Sequence, residues 1–206
     1  MNLRLIIFIV IALCIIGAGV FVWFTWPSRG DEPAPQEPAL QEPAPRASTY
    51  ASTTLGYSIT YPLAFVLETN HVYKFSSSKS INGFKVTVPE SMATGTNLSN
   101  DSYVSVEQLP NAKLCTGDIF LTANVKAQLV TEGATVYSVA SSTGAAAGNR
   151  YEEWTYALKN SKPCTAVRYY IHSTNVGNYP KGTVQEFDRT ALMSEFDQIR
   201  RSLQKI

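Results

Sequence analysis

Few residues in this chain are of types that carry out chemistry, and their spacing narrows the options further. Cysteine occurs at positions 14, 115 and 164, and histidine only at 71 and 172. A zinc site needs ligands at recognisable intervals, such as His-x-x-x-His or His-Glu-x-x-His. The two histidines stand far apart and in neither frame, so each reads as a turn or sheet-edge residue and no metal ligand is assigned. No Gly-x-Ser-x-Gly elbow presents a serine nucleophile. The stretch from Gly144 to Gly148 is not followed by Gly-Lys-Ser/Thr, which excludes a phosphate loop. The sequence therefore names no catalytic residue and no cofactor, and a non-enzyme is expected.

Two features remain. Cys115 and Cys164, in a domain expected to face an oxidising compartment, suggest a disulfide rather than a redox motif, since no Cys-x-x-Cys occurs. By alternation along its strand, Cys164 shares a face with Arg168, opposite Val167, Tyr169 and Ile171. The second feature is the segment from His172 to Gly182, HSTNVGNYPKG. It is dense in polar donors and acceptors, and His172, Asn175, Asn178 and Tyr179 are its candidate ligand-binding residues. A long turn accounts for the same composition, because turn geometry selects asparagine, glycine and proline.

The elements that must position these residues are mostly strands. YSITY at Tyr57–Tyr61, closed by Pro62, reads as a first strand. Val72–Phe75, Phe84–Val88, Tyr103–Gln108 and Val136–Ala140 follow. Arg150–Leu158 and Cys164–His172 flank Lys-Asn-Ser-Lys-Pro and read as a hairpin. Glu153 and Arg168 lie off the apolar faces of those two strands, which predicts a cross-strand ion pair. The chain closes in a helix: Asp188 is a good N-cap, Phe187 and Leu192 match a hydrophobic staple, and Leu192, Phe196, Ile199 and Leu203 make an apolar stripe. Arg200, Arg201 and Lys205 sit where the helix dipole favours positive charge. The expected class is α+β, a mainly antiparallel sheet covered by a C-terminal helix.

The first fifty residues differ in kind. Leu5 to Trp26 carries no charge and spans roughly 33 Å as a helix, enough for a hydrocarbon core of about 30 Å. It reads as a transmembrane signal-anchor over residues 1–26, with the membrane as a partner through residues 5–26. A cleaved signal peptide fits less well, because the apolar run is longer than a usual signal core. Residues 27–50 read as a linker rich in proline, glutamate and alanine, with Glu-Pro-Ala recurring at Glu32, Glu37 and Glu42. Residues 51–206 are then an extracytoplasmic α+β domain. The short tail before the apolar run and the paired cysteines place that domain outside the cytoplasm, at the cell membrane. The whole chain has 17 basic and 16 acidic side chains, with no basic stripe to attract nucleic acid.

Thr-x-x-Gly-Tyr-Ser-Ile-x-Tyr-Pro at Thr53–Pro62 and Phe-Asp-x-Ile-x-x-Ser-Leu at Phe196–Leu203 resemble the two ends of a PsbP/Mog1-like domain. That fold also occurs in uncharacterised membrane-anchored bacterial proteins. Phe65 stands where the family often has tryptophan. The resemblance implies the α+β fold over roughly the whole domain and transfers no function, since its members do unrelated things. The expected role is a membrane-tethered extracytoplasmic binding or assembly module without catalysis, whose partner is another envelope protein. The alternatives are a small-ligand receptor using the 172–182 loop, and an envelope hydrolase.

Overall fold

The computed structural model describes residues 46–75 and 80–206. The anchor and most of the linker lie outside these residues. Among the described residues no helix is long and apolar enough to cross a membrane.

Among the described residues ten strands form two antiparallel sheets. In chain order they are β1 (Ala47–Ser52), β2 (Tyr57–Pro62), β3 (Val66–Lys74), β4 (Ser80–Thr87), β5 (Tyr103–Leu109), β6 (Gln128–Glu132), β7 (Thr135–Ala146), β8 (Asn149–Leu158), β9 (Cys164–Thr174) and β10 (Gln204–Lys205). A small sheet has the order β1-β2-β10, and a large one the order β3-β4-β5-β9-β8-β7-β6. One helical turn, α1 (Glu90–Ala93), precedes β5, and the long helix α2 spans Arg189–Arg201. The α+β class and the antiparallel sheet follow the sequence reading.

Alternation divides the large sheet into two unlike faces. One carries Phe84, Val86, Val104, Val106, Val167, Tyr169 and Ile171, which form the main core with Leu192, Phe196 and Ile199 of α2. The helix does not cover this face alone: Ile59, Tyr61 and Phe65 of the small sheet and its following turn are buried in the same core. Asp188 caps α2 as expected, its Oδ1 accepting from the Ala191 N–H at 2.9 Å. The opposite face carries a smaller cluster of Ile81, Phe120, Ala157, Cys164 and Ala166, closed by the irregular segment between β5 and β6.

Three readings need correction. The domain does not begin at residue 51, because β1 starts at Ala47 and pairs with β2 from Ala47↔Pro62 to Ser52↔Tyr57. The stretch before it is rich in proline, but Ala-Ser-Thr-Tyr-Ala-Ser alternates and Tyr50 packs edge-on against Phe84 at 4.9 Å. The strand read over Val136–Ala140 is longer than that: β7 runs from Thr135 to Ala146 and ends in a two-residue turn. Lys205 is not in the last turns of the helix but in β10; of the two basic residues on which α2 does end, Arg200 is the buried one. It is 1% exposed, and its guanidinium bonds Tyr169 and Glu132 and lies over the rings of Tyr137 and Tyr156. Burial would push Glu132 up, but hydrogen bonds from Arg200 and Arg201 outweigh it and hold that carboxyl below its usual range.

Candidate functional site

Cys115 and Cys164 are joined by a disulfide with Cα atoms 5.1 Å apart. The bond ties the start of the 110–127 excursion to the first residue of β9, on the face that Arg168 also occupies. Phe120 is thereby held over Ala157 and Ala166.

Arg168 is the centre of that face and has no exposed surface. Its Nε and Nη2 donate to the two oxygens of Glu107, both at 2.9 Å, and Nη2 also donates to the Phe120 carbonyl at 2.7 Å. Nη1 contacts Glu153, the ion pair that alternation implied. The Tyr73 hydroxyl donates to Glu153, and its ring lies 3.6 Å from the Arg168 guanidinium carbon. Burial raises the Tyr73 hydroxyl well above its ordinary value. Sequence reasoning missed Glu107 and Tyr73, since only β-sheet register brings strands β3, β5, β8 and β9 around one side chain. Each charged group here has a hydrogen-bonded partner, Arg168 serving both carboxylates, and the group reads as structural.

The candidate loop residues are split up rather than brought together. His172 leaves β9 on the Arg168 face, where its Nδ1 meets Asp101 at 2.8 Å and its Nε2 meets Asn149 at 3.1 Å. Its ring stacks on Tyr151 with centroids 4.6 Å apart, continuing to Tyr170 and Tyr103. Burial first, and Asp101 second, push the Tyr170 hydroxyl up to about 12. An aspartate–histidine pair is thus present, but the group at its far nitrogen is an amide rather than a hydroxyl, so no nucleophile is placed. Asn175 accepts from the Gly177 N–H at 2.9 Å, Asn178 donates to the Gly148 carbonyl at 3.3 Å, and Tyr179 shares a 2.9 Å hydrogen bond with Thr174. Asn175 and Tyr179 thus bond within their own segment, while Asn178 ties that segment to the β7–β8 turn. No group of three or more potential metal ligands occurs among the described residues.

The concavity lies on the other face. An open cleft of about 920 Å³ is bounded by the β7–β8 hairpin tip on one side and by residues 186–189 on the other. Of the four candidate residues only Asn175 lines it, whereas Tyr179 lines a separate depression of about 310 Å³. Its floor is Glu152, a buried carboxylate that accepts from Arg189 Nη2 at 2.8 Å and Nε at 3.2 Å. Arg150, two-thirds exposed, leans on the same carboxylate at 3.7 Å. Asn97 fixes the wall by donating to the Thr174 carbonyl and accepting from the Phe187 N–H. A signal for this site existed in the alternation of Arg150 and Glu152, but nothing local pointed to Arg189 as their partner.

No family model and no curated protein matches the chain. Among solved structures it is similar to cyanobacterial PsbP (CyanoP) from Synechocystis sp. PCC 6803, at 13% identity and a TM-score of 0.32, over 78% of this chain and 93% of that one. It is also similar to a protein from Bacteroides thetaiotaomicron VPI-5482, at 11% identity and a TM-score of 0.42, over 79% of this chain. The chain spans about half the length of that second protein. No role is taken from either.

Proposed function

We propose that the protein is an extracytoplasmic binding or assembly module, tethered to the cell membrane through residues 5–26 and acting through contacts with another envelope protein. The observation that carries the binding role is the cleft at the β7–β8 hairpin tip. Its floor is pre-organised, because Glu152 is buried and clamped by Arg189, while Arg150 remains available at the rim. Binding sites are concave and carry a few fixed polar groups, and this one matches that description. The Cys115–Cys164 disulfide supports an oxidising compartment, where such bonds persist.

A non-catalytic role is preferred because the cleft lining holds no histidine and no cysteine, and its one buried acid is ion-paired. Cross-linking in intact membranes tests the reading. A partner band should form with the wild-type chain, weaken with Arg150→Glu at the cleft, and persist with Lys181→Glu outside it. Equal capture by both variants, or none above background, would count against the cleft as the contact. A small-ligand receptor using the 172–182 loop is the weaker reading, since Asn175 is engaged within the loop and Asn178 with the Gly148 carbonyl.

A further inference from the structure

The two long edges of the large sheet are finished differently. An edge strand leaves N–H and C=O groups unpaired, and folded proteins blunt such edges with bulges, charges or proline. At one edge, β3 has a register shift between Glu68 and His71 and carries Glu68 and Lys74. At the other edge, β6 covers β7 only as far as Gln128↔Val139. Past that point β7 continues, paired with β8 alone, from Ala140↔Thr155 to Ala146↔Asn149.

Register determines which backbone groups are left over. β7 and β8 are joined by the two-residue turn Ala147–Gly148, both at positive φ, so Ala146 and Asn149 form the closing hydrogen-bonded pair. Hydrogen-bonding direction alternates along an antiparallel strand. Ala146, Gly144 and Ser142 therefore bond to β8, while Ser141, Thr143 and Ala145 turn their N–H and C=O groups outward. Val139 and Tyr137 have the same parity and bond to β6, which confirms the phase. From Ser141 to Gly148 there is no charged side chain and no proline, so none of the usual protections is present. Thr143 to Gly148 form one wall of the cleft, with the side chains of Thr143 and Ala145 on the Glu152 face.

We infer that the free edge of β7 at Ser141–Ala145 is a β-augmentation site: an extended, proline-free segment of the partner protein adds as a strand there and lays alternate side chains over the cleft. This rests on the binding role proposed above and names the form the partner takes. The area argues for a peptide rather than a second copy of the chain. Five residues at ~3.4 Å each give an edge contact only about 17 Å long. At a width of roughly 10 Å such a strip covers only about 170 Å² on each partner, far short of the roughly 1,200 Å² that a stable protein–protein interface buries. A peptide strand gains the remainder from the cleft, which two flat edges pairing with each other would leave unused. Strand addition with side chains in adjoining pockets is an established mode of peptide recognition.

The test uses the full-length chain in detergent micelles and a displayed library of random decapeptides as the probe. Selected peptides are resynthesised with N-methyl groups on alternate backbone nitrogens, in the two possible phases. One phase should lower affinity at least tenfold and the other should leave it nearly unchanged, because only one edge of the added strand faces β7. Thr143→Pro removes an outward donor without breaking the β8 ladder, and should give a similar loss. Equal loss in both phases, or no effect of Thr143→Pro in a folded variant, overturns the inference, as does the selection of no peptide. If Thr143→Pro unfolds, the N-methyl comparison decides alone. Loss with Arg150→Glu but not with the backbone changes would sink the edge and leave the cleft standing. A dimer that Thr143→Pro converts to monomer would replace the peptide by a second copy.

Discussion

The Arg168–Glu107 pair allows a sharp test of how this sheet is held together. Neither side chain has exposed surface, and each satisfies the other through two hydrogen bonds. Replacing Arg168 by Met keeps most of the volume but leaves Glu107 buried, with the Ser105 hydroxyl at 2.8 Å as its remaining hydrogen-bond donor. Breaking a buried pair from one side costs about 3–5 kcal/mol, a large share of the ~5–15 kcal/mol that a domain has. The double variant Arg168→Met/Glu107→Leu buries no unpaired charge at this pair. It still strands the Phe120 carbonyl and removes one partner of Glu153, so a loss of about 1–3 kcal/mol is expected. The double change should therefore be milder than the single Arg168→Met. Urea denaturation of residues 46–206, followed by the fluorescence of Trp154, measures Arg168→Met, Glu107→Leu and the double variant. If the double variant is as unstable as the sum of the two singles, the charges are not coupled and the argument from mutual burial fails.

The chain from Arg46 to Ile206 should fold alone, whereas one starting at Ala51 should lose about 3–5 kcal/mol by omitting Tyr50 and its core contact, as denaturant midpoints would show. Cys164→Ser should cost about 4 kcal/mol under oxidising conditions from the loop of 49 residues it opens, and reductant should bring the wild type down to match. Burial lowers the His71 pKa below its usual 6.5, with Glu107 only partly opposing. The unfolded chain therefore takes up a proton near pH 6.5 that the folded domain refuses, and stability should fall as pH drops through that region. His71→Gln should flatten this part of the pH profile. Ala147 sits at φ +50° before a glycine at φ +80°, the turn that Asn-Gly prefers. Ala147→Asn should raise stability by about 0.5–1 kcal/mol, visible as a higher Tm.

What was legible in the sequence was whatever a local rule encodes. Strand alternation gave the faces of β8 and β9, so the placement of Cys164 with Arg168 and the Glu153–Arg168 contact followed from counting by two. Asp188 and the stripe through Leu192, Phe196 and Ile199 gave α2, because capping and helical period are properties of a few consecutive residues. The strand β1 escaped because its prolines lie just upstream and its pairing partner lies beyond a turn. Glu107, Tyr73, Arg189 and Arg200 took their roles only in the fold. Each meets a partner at least several tens of residues away, apart from the Arg200–Asp197 contact within α2, and register alone decides which charge faces which. The same holds for the free edge of β7: the sequence from Ser141 to Ala146 specifies a strand that lacks protection, but that β6 begins only at Gln128, opposite Val139, and leaves it open is a fact of how the sheet assembles. His172, Asn175, Asn178 and Tyr179 show the converse. Their types invited a site, and the tertiary structure engages them elsewhere: His172 with Asp101 and Asn149, Asn178 with Gly148, and Asn175 and Tyr179 within their own segment, because buried and half-buried polar groups must first satisfy one another.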